Sequence, residues 1–176
     1  LSVFSDGRVI RDHLAQERMG NHLRRLLSLS TEAKQPNDGR FHIVGDTAEW
    51  MSRHAHEIEK FCMFFENAEA AEAALPRFYA LEDVEVVQGS PDNIEVTAKG
   101  VDKGSALLAL ADRLGIPHEC TLAVGDSDND RAMLEKAGVA AVMANGMERV
   151  KQLADIVSEN DCDHDGVAEI FARLSV

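Results

Sequence analysis

The stretch that decides the fold is LAVGDSDND, Leu122 to Asp130: a short apolar run that passes through Gly125 into a turn crowded with Asp126, Asp128, Asn129 and Asp130. A buried parallel strand ending this way puts a carboxylate at the carboxyl end of the sheet, where open α/β sheets bind their ligands. Neighbouring carboxylates repel one another unless a cation or a capping role compensates them. Two readings follow from spacing alone. Asp128 or Asn129 caps the next helix, with Asp130 favoured in its first turn, or the hard oxygens hold Mg²⁺, which takes a few carboxylates and keeps several waters.

Working outward, Ser105 to Leu114 has apolar residues at helical spacing and is closed by Gly115, with Pro117 close behind. Arg131 to Ala137 reads as a helix ended by Gly138, Val139 to Met143 as a strand, Met147 to Ala154 as a helix, Ile156–Val157 as a brief strand, and Gly166 to Leu174 as a terminal helix. Alternation at this interval predicts parallel βα units with right-handed crossovers, so the second half is expected to be α/β.

The first half has another texture. Ser2 to Phe4 and Val9–Ile10 flank the hairpin signal Asp6-Gly7, and His13 to Leu29 can be helical. Phe41–Val44 and Glu59–Phe65 are short apolar runs, Ala68–Phe78 is helix-prone, and Val84–Val87 and Asn93–Thr97 are strand candidates. This mixture predicts a small α+β module over residues 1–98, joined near Ala98 to Val101 to an α/β unit over residues 99–176.

Two further positions complete a candidate site. Lys103 lies in the glycine-flanked run Lys99-Gly-Val-Asp-Lys-Gly104 just before a helix, where its ammonium and the helix N-terminus can face an anion; a solvated lysine is the plainer reading. Asn145, in Ala144-Asn-Gly146 after the next strand, either hydrogen-bonds a ligand or simply forms a turn. Other features carry less. Asp161-Cys-Asp-His-Asp-Gly166 opens like a calcium loop but has Ala172 where the bidentate Glu belongs. His54 and His56 lack zinc-protease spacing, and no GxGxxG fingerprint occurs.

Composition excludes some partners. The 176 residues carry 31 acidic and 18 basic side chains, a net charge of −13, which disfavours binding along nucleic-acid phosphates or to an anionic membrane. Cys62, Cys120 and Cys162 form neither a disulfide framework nor a CxxC pair, and the expected setting is a reducing cytoplasm.

Taken together, the lysine run, Gly125-Asp-Ser-Asp-Asn-Asp130, Val142-Met-Ala-Asn-Gly146, Ala154-Asp-Ile-Val157 and His164-Asp-Gly-Val167 resemble the haloacid-dehalogenase-like phosphatases of the Cof type, near the sugar-phosphate and phosphoglycolate phosphatases. The resemblance is strong over the second half and weaker over residues 1–98, which look like the family's α/β cap. It implies a partial Rossmann-like core plus cap, and a Mg²⁺-dependent phosphatase of small phosphomonoesters that works through an aspartyl-phosphate.

By the same resemblance Lys103 steadies the nucleophile and the phosphoryl group, Asp126 ligands Mg²⁺, and Asp130 supports the metal. Asn129 orients neighbouring groups and Asn145 lines the substrate site. The family's opening motif, an apolar strand ending in DxDx[TV], is missing, with Phe4-Ser-Asp-Gly7 as the nearest imitation. The expectation is therefore that Leu1 falls near the cap, with the nucleophilic segment upstream. The alternatives are an inactive phosphate- or ligand-binding fragment and a subunit completed by a separate amino-terminal half. The unpaired edge expected for the metal strand makes a homo-oligomer conceivable.

Overall fold

The computed structural model describes residues 1–26 and 40–174; residues 27–29 of the expected first helix lie outside them. The chain forms β1 (Ser2–Ser5), β2 (Arg8–Asp12), α1 (His13–Leu26), β3 (Phe41–Val44), α2 (Thr47–His54), β4 (Ile58–Phe64), α3 (Ala68–Tyr79), β5 (Val84–Val87) and β6 (Asn93–Ala98). There follow α4 (Lys103–Leu114), β7 (Leu122–Gly125), α5 (Arg131–Lys136), β8 (Val139–Val142), α6 (Glu148–Lys151), β9 (Ile156–Val157) and α7 (Gly166–Leu174). Its contacts divide into two units, Leu1–Glu82 with Pro91–Ala98, and Asp83–Ser90 with Lys99–Val176.

One junction therefore lies between Ala98 and Lys99, but Asp83–Ser90, expected within the first module, groups with the second unit. Backbone bonding explains this. Lys99 N–H donates to Asp83 O at 3.0 Å and Asn129 N–H to Gln88 O at 3.2 Å, while Gly100 N–H donates to the Glu85 carboxylate at 3.0 Å.

In the first unit the strand order is β3-β2-β1-β4-β6, with β2 and β3 parallel and the other neighbours antiparallel. Asp6 and Gly7 take φ of 48° and 68°, the left-handed pair that a tight hairpin requires. Cross-strand register puts Val3, Ile10, Phe61 and Val96 on one face. Val3, Ile10 and Val96 are buried, as is Ala71 of α3. The other face mixes charged and aromatic side chains: Arg11 sits over the Phe41 ring and Lys60 over the Phe4 ring, and Lys60 pairs with Glu95 at 3.2 Å.

The second unit is the expected βα alternation, with parallel strands in the order β7-β8-β9. Ala123, Leu134, Ala140, Val142 and Val150 form its buried centre on one side, and Ala141, Met143 and Ile170 on the other. These strands read as continuous small-to-medium apolar runs because both faces are covered.

Two local details differ from the sequence reading, and both place the site. First, α4 begins at Lys103 instead of Ser105. The Asp102 carboxylate accepts the Ser105 N–H at 2.7 Å while the Ser105 hydroxyl accepts the Asp102 N–H at 3.1 Å, a reciprocal cap that makes Lys103 the first helical residue. Second, α6 is a single turn over Glu148–Lys151, because Leu153 and Ala154 donate to Val150 O and Lys151 O in tighter turns.

Helix α4 lies directly against α5, and Gly104 makes the approach possible. A Cβ there would sit 2.1 Å from Ala132 O. In an exposed helix Gly→Ala stabilises by about 1 kcal/mol. Gly104→Ala should instead destabilise by about 1–3 kcal/mol, because a backbone oxygen cannot give way cheaply. A fall in the urea midpoint checks this, and a rise would show that the helices separate freely.

Burial pushes the Asp102 carboxyl up, but the Ser105 N–H and the Lys136 ammonium at 3.1 Å outweigh it and hold the pKa below the usual value of 3.8. A depressed folded pKa gives stability that is complete above the unfolded value and is lost as pH falls through the folded one. Asp102→Asn, which keeps a capping oxygen, should therefore flatten the fall in thermal midpoint below about pH 4 relative to the wild type. Parallel acid melts of the two proteins measure it.

Candidate functional site

The site is built at the carboxyl ends of β7 and β8 and at the first turn of α4. Its centre is Asp130, whose side chain is 8% exposed. Oδ1 accepts the Lys103 ammonium at 2.6 Å, and Oδ2 accepts the Asp126 and Ser127 N–H groups at 3.0 and 3.3 Å. Burial alone pushes the Asp130 carboxyl up; the Lys103 ammonium and the two N–H groups outweigh it and hold the pKa below the usual carboxylate value. Unlike a surface pair, this one joins a half-exposed cation to a buried anion, so the charge on Asp130 depends on Lys103 staying in place.

Asn129 is held beside them. Its Oδ1 accepts Lys103 Nζ at 3.1 Å and the Ser127 hydroxyl at 2.9 Å, and its N–H is fixed on Gln88 O. The structure thus gathers Lys103, Asn129 and Asp130 into one cluster and places the Asp126 backbone on its edge. Neither Asp128 nor Asn129 caps α5 as the structural reading expected. Asp128 accepts Arg149 Nε at 2.8 Å, and the amides at the start of the turn are taken by Asp130. The signal for this was present: Ser127-Asp-Asn-Asp130 has the S-x-x-D spacing of a reciprocal cap.

Asp126 is different from its neighbours. Its backbone is locked, with Asp126 O accepting Met147 N–H at 2.8 Å, but its exposed carboxylate accepts no hydrogen bond and joins no ion pair among the described residues. A carboxylate left unpaired on a fixed backbone is a hard-oxygen donor suited to Mg²⁺, which binds through one or two carboxylates, waters and phosphate oxygens. Asp130 does not share that freedom, since both of its oxygens are already bonded. Among the described residues no group of three or more His, Cys, Asp or Glu side chains is placed to hold a metal by itself. The residues present therefore fit the ion as one open ligand on a charged support.

Two glycines make the approach possible. A Cβ on Gly125 would lie 2.5 Å from Asp130 Cβ, and one on Gly146 would lie 2.7 Å from Val142 Cγ1 and 3.3 Å from Asp126 Cα. The loop after β8 thus runs past Asp126 and carries Asn145, which is exposed and whose Oδ1 accepts the Cys162 N–H at 3.2 Å. In the acidic turn that resembled a calcium loop, Asp161 Oδ1 already serves the Asp163 N–H and His164 Nδ1, at 3.0 and 2.6 Å.

Known proteins resemble this chain in sequence and fold. Residues 10–171 match the family described as haloacid dehalogenase-like hydrolase. The 5-amino-6-(5-phospho-D-ribitylamino)uracil phosphatase YcsE of Bacillus subtilis (strain 168) is 36% identical over 114 residues, 65% of this chain and 45% of that protein. A phosphoglycolate phosphatase of Methanopyrus kandleri is 37% identical over 115 residues, 58% of this chain and 49% of that protein. The chain thus spans less than half the length of these two relatives.

The solved structure of a haloacid dehalogenase-like hydrolase from B. subtilis superposes on 98% of this chain and 64% of its own with a TM-score of 0.78 and 31% identity. A sugar phosphatase of subclass IIB of the superfamily covers 98% of this chain and 59% of its own at a TM-score of 0.72 and 21% identity, which speaks to the fold alone. No helix among the described residues is long and apolar enough to cross a membrane. With the match running through both units, the chain belongs to the haloacid dehalogenase-like hydrolase family, its Rossmann-like α/β core accompanied by a sheet-and-helix cap region.

Proposed function

We propose that the whole protein is a Mg²⁺-dependent phosphomonoesterase of the cytoplasm acting on a small phosphorylated metabolite, a sugar phosphate or phosphoglycolate. In this reading residues 1–98 supply most of the cap and residues 99–176 the lysine-and-aspartate side of the phosphate site. The observation that carries it is the division of labour among the carboxylates: Asp130 is engaged by Lys103 and two N–H groups, while Asp126 beside it has no partner among the described residues.

Phosphoryl transfer is mainly alignment plus neutralisation of charge on the equatorial oxygens. Lys103 supplies a fixed positive charge, aimed by Asp130 and Asn129 and standing at the N-terminus of α4, where backbone N–H groups add to the field. Asp126 would hold Mg²⁺, which would supply positive charge to polarise a phosphate. Asn145 would meet the substrate from the neighbouring loop. Attack on phosphorus is assigned to a carboxylate outside these 176 residues, since no apolar strand within them ends in DxDx[TV]; the one literal match, Asp163-His-Asp-Gly-Val167, leads into α7 instead. That same absence favours a second reading, phosphate or ligand binding without turnover, for the 176-residue chain by itself. A p-nitrophenyl phosphate assay with Mg²⁺ decides: hydrolysis by the 176-residue chain alone would overturn the assignment of an external nucleophile.

Asp126→Asn should weaken Mg²⁺ binding by about tenfold or more in calorimetric titration, because the open carboxylate is lost, with little change in the urea midpoint. Undiminished affinity would remove Asp126 from the metal site. In the whole enzyme Lys103→Ala should lower kcat/KM by about 10²-fold or more, as when a preorganised charge is deleted from a transition state. Full activity in that variant would leave Lys103 as a structural partner of Asp130 only.

A further inference from the structure

Asn145 makes one hydrogen bond, and that bond fixes which way its amide faces. A backbone N–H can only donate, so the atom facing Cys162 N–H is Oδ1, and the amino group is turned to the other side. Nδ2 makes no hydrogen bond among the described residues. The reverse orientation would present lone pairs to an anion; the observed one presents two N–H donors.

The Cys162 N–H is itself aimed by a turn organised on Asp161. Asp161 Oδ1 accepts the Asp163 N–H and faces His164 Nδ1, and Asp161 O accepts the Gly166 N–H at 3.1 Å and the His164 N–H at 3.3 Å. Behind it, the Glu169 carboxylate accepts the Glu159 and Asn160 N–H groups, and the Ser158 hydroxyl links Asn160 O to Ala144 N–H. Gly166 seals the contact: a Cβ there would lie 2.4 Å from Asn160 O and 2.5 Å from Met143 Cε. The turn is thereby seated on Met143 and Ala144, the end of the strand that delivers Asn145.

We propose that the Asn160–Gly166 turn is a positioning element for phosphate recognition. Asp161, acting through the Cys162 N–H, holds the Asn145 amide with its NH₂ group toward the phosphate oxygens. This rests on the phosphate site proposed above. It also gives the acidic run Asp161 to Asp165 a role other than metal binding, with Asp161 spent on the turn itself.

The test uses the ¹⁵N-labelled 176-residue chain, following the Asn145 side-chain NH₂ pair and the Lys103 backbone amide by NMR while inorganic phosphate is added in the presence of Mg²⁺. Both signals should shift. Asp161→Ala should broaden or move the Asn145 pair before any phosphate is added and weaken phosphate binding about fivefold, the worth of one oriented hydrogen bond. Asp161→Asn, which keeps the accepting oxygen, and Cys162→Ala, which keeps the N–H, should behave as wild type. Asn145→Asp is independent of the turn and should weaken binding more than Asn145→Ala does, by replacing donors with negative oxygen.

A phosphate-induced shift at Lys103 with none at Asn145 overturns this inference and leaves the phosphate site standing. Silence at both removes the phosphate site as well. An unchanged Asn145 pair in Asp161→Ala overturns the positioning role, and so does Asn145→Asp binding phosphate as tightly as wild type.

Discussion

The second unit depends on the buried carboxylate of Asp130. It ties together three pieces of chain distant in sequence or direction: the start of α4 through Lys103, the end of β7 through the Asp126 and Ser127 amides, and its own turn leading into α5. The Asp126 and Ser127 N–H groups are donors that the strand end leaves without a ladder partner, and the Lys103 ammonium adds a charged one. Concentrating them on one carboxylate removes several unsatisfied groups at once, and it sets a positive charge where an anion can reach it. Removing Lys103 would strand the buried charge of Asp130, whereas removing Asp130 would free a half-exposed ammonium, so the pair is held chiefly from the carboxylate side.

That arrangement separates two roles that the acidic run Asp126 to Asp130 confounds. Side chains of the same kind, a few residues apart, differ in what remains free. Asp128 is drawn to Arg149, with Arg131 nearby at 3.7 Å; Asp130 is consumed by the scaffold; Asp126 has only its backbone engaged. A site assembled this way keeps one carboxylate reactive toward a cation and uses the others to neutralise local charge, so a net acidic chain can still face a phosphate.

Much of this was legible in the residues. The βα alternation from Ser105 to Leu174 follows from apolar runs separated by Gly115, Gly125 and Gly138, and the position of Asp126 at a strand end follows from Leu122 to Val124 being apolar. The pairing of Lys103 with Asn129 and Asp130 was not, because nothing local connects positions 26 and 27 residues apart; it exists only once α4 packs on α5. The start of α4 was misplaced by two residues because the reciprocal bonds of Asp102 and Ser105 outrank apolar periodicity at a helix end. The attachment of Asp83–Ser90 to the second unit rests on backbone oxygens of Asp83 and Gln88 and on the Glu85 carboxylate, which no apolar periodicity marks.

The glycines of the site show why composition alone misleads at such places. Gly125 and Gly146 are not among the residues with positive φ, so neither is required for a left-handed turn. What they supply is space: Asp130 occupies the position of a Cβ on Gly125, and Val142 and the Asp126 backbone crowd the position of one on Gly146. A side chain on Gly125 would displace Asp130, the partner of Lys103, and one on Gly146 would push the loop after β8 away from Asp126. The glycine after an apolar strand therefore specifies an approach distance between two loops, and it is this distance, more than the acidity of the run that follows, that turns a strand end into a candidate phosphate site.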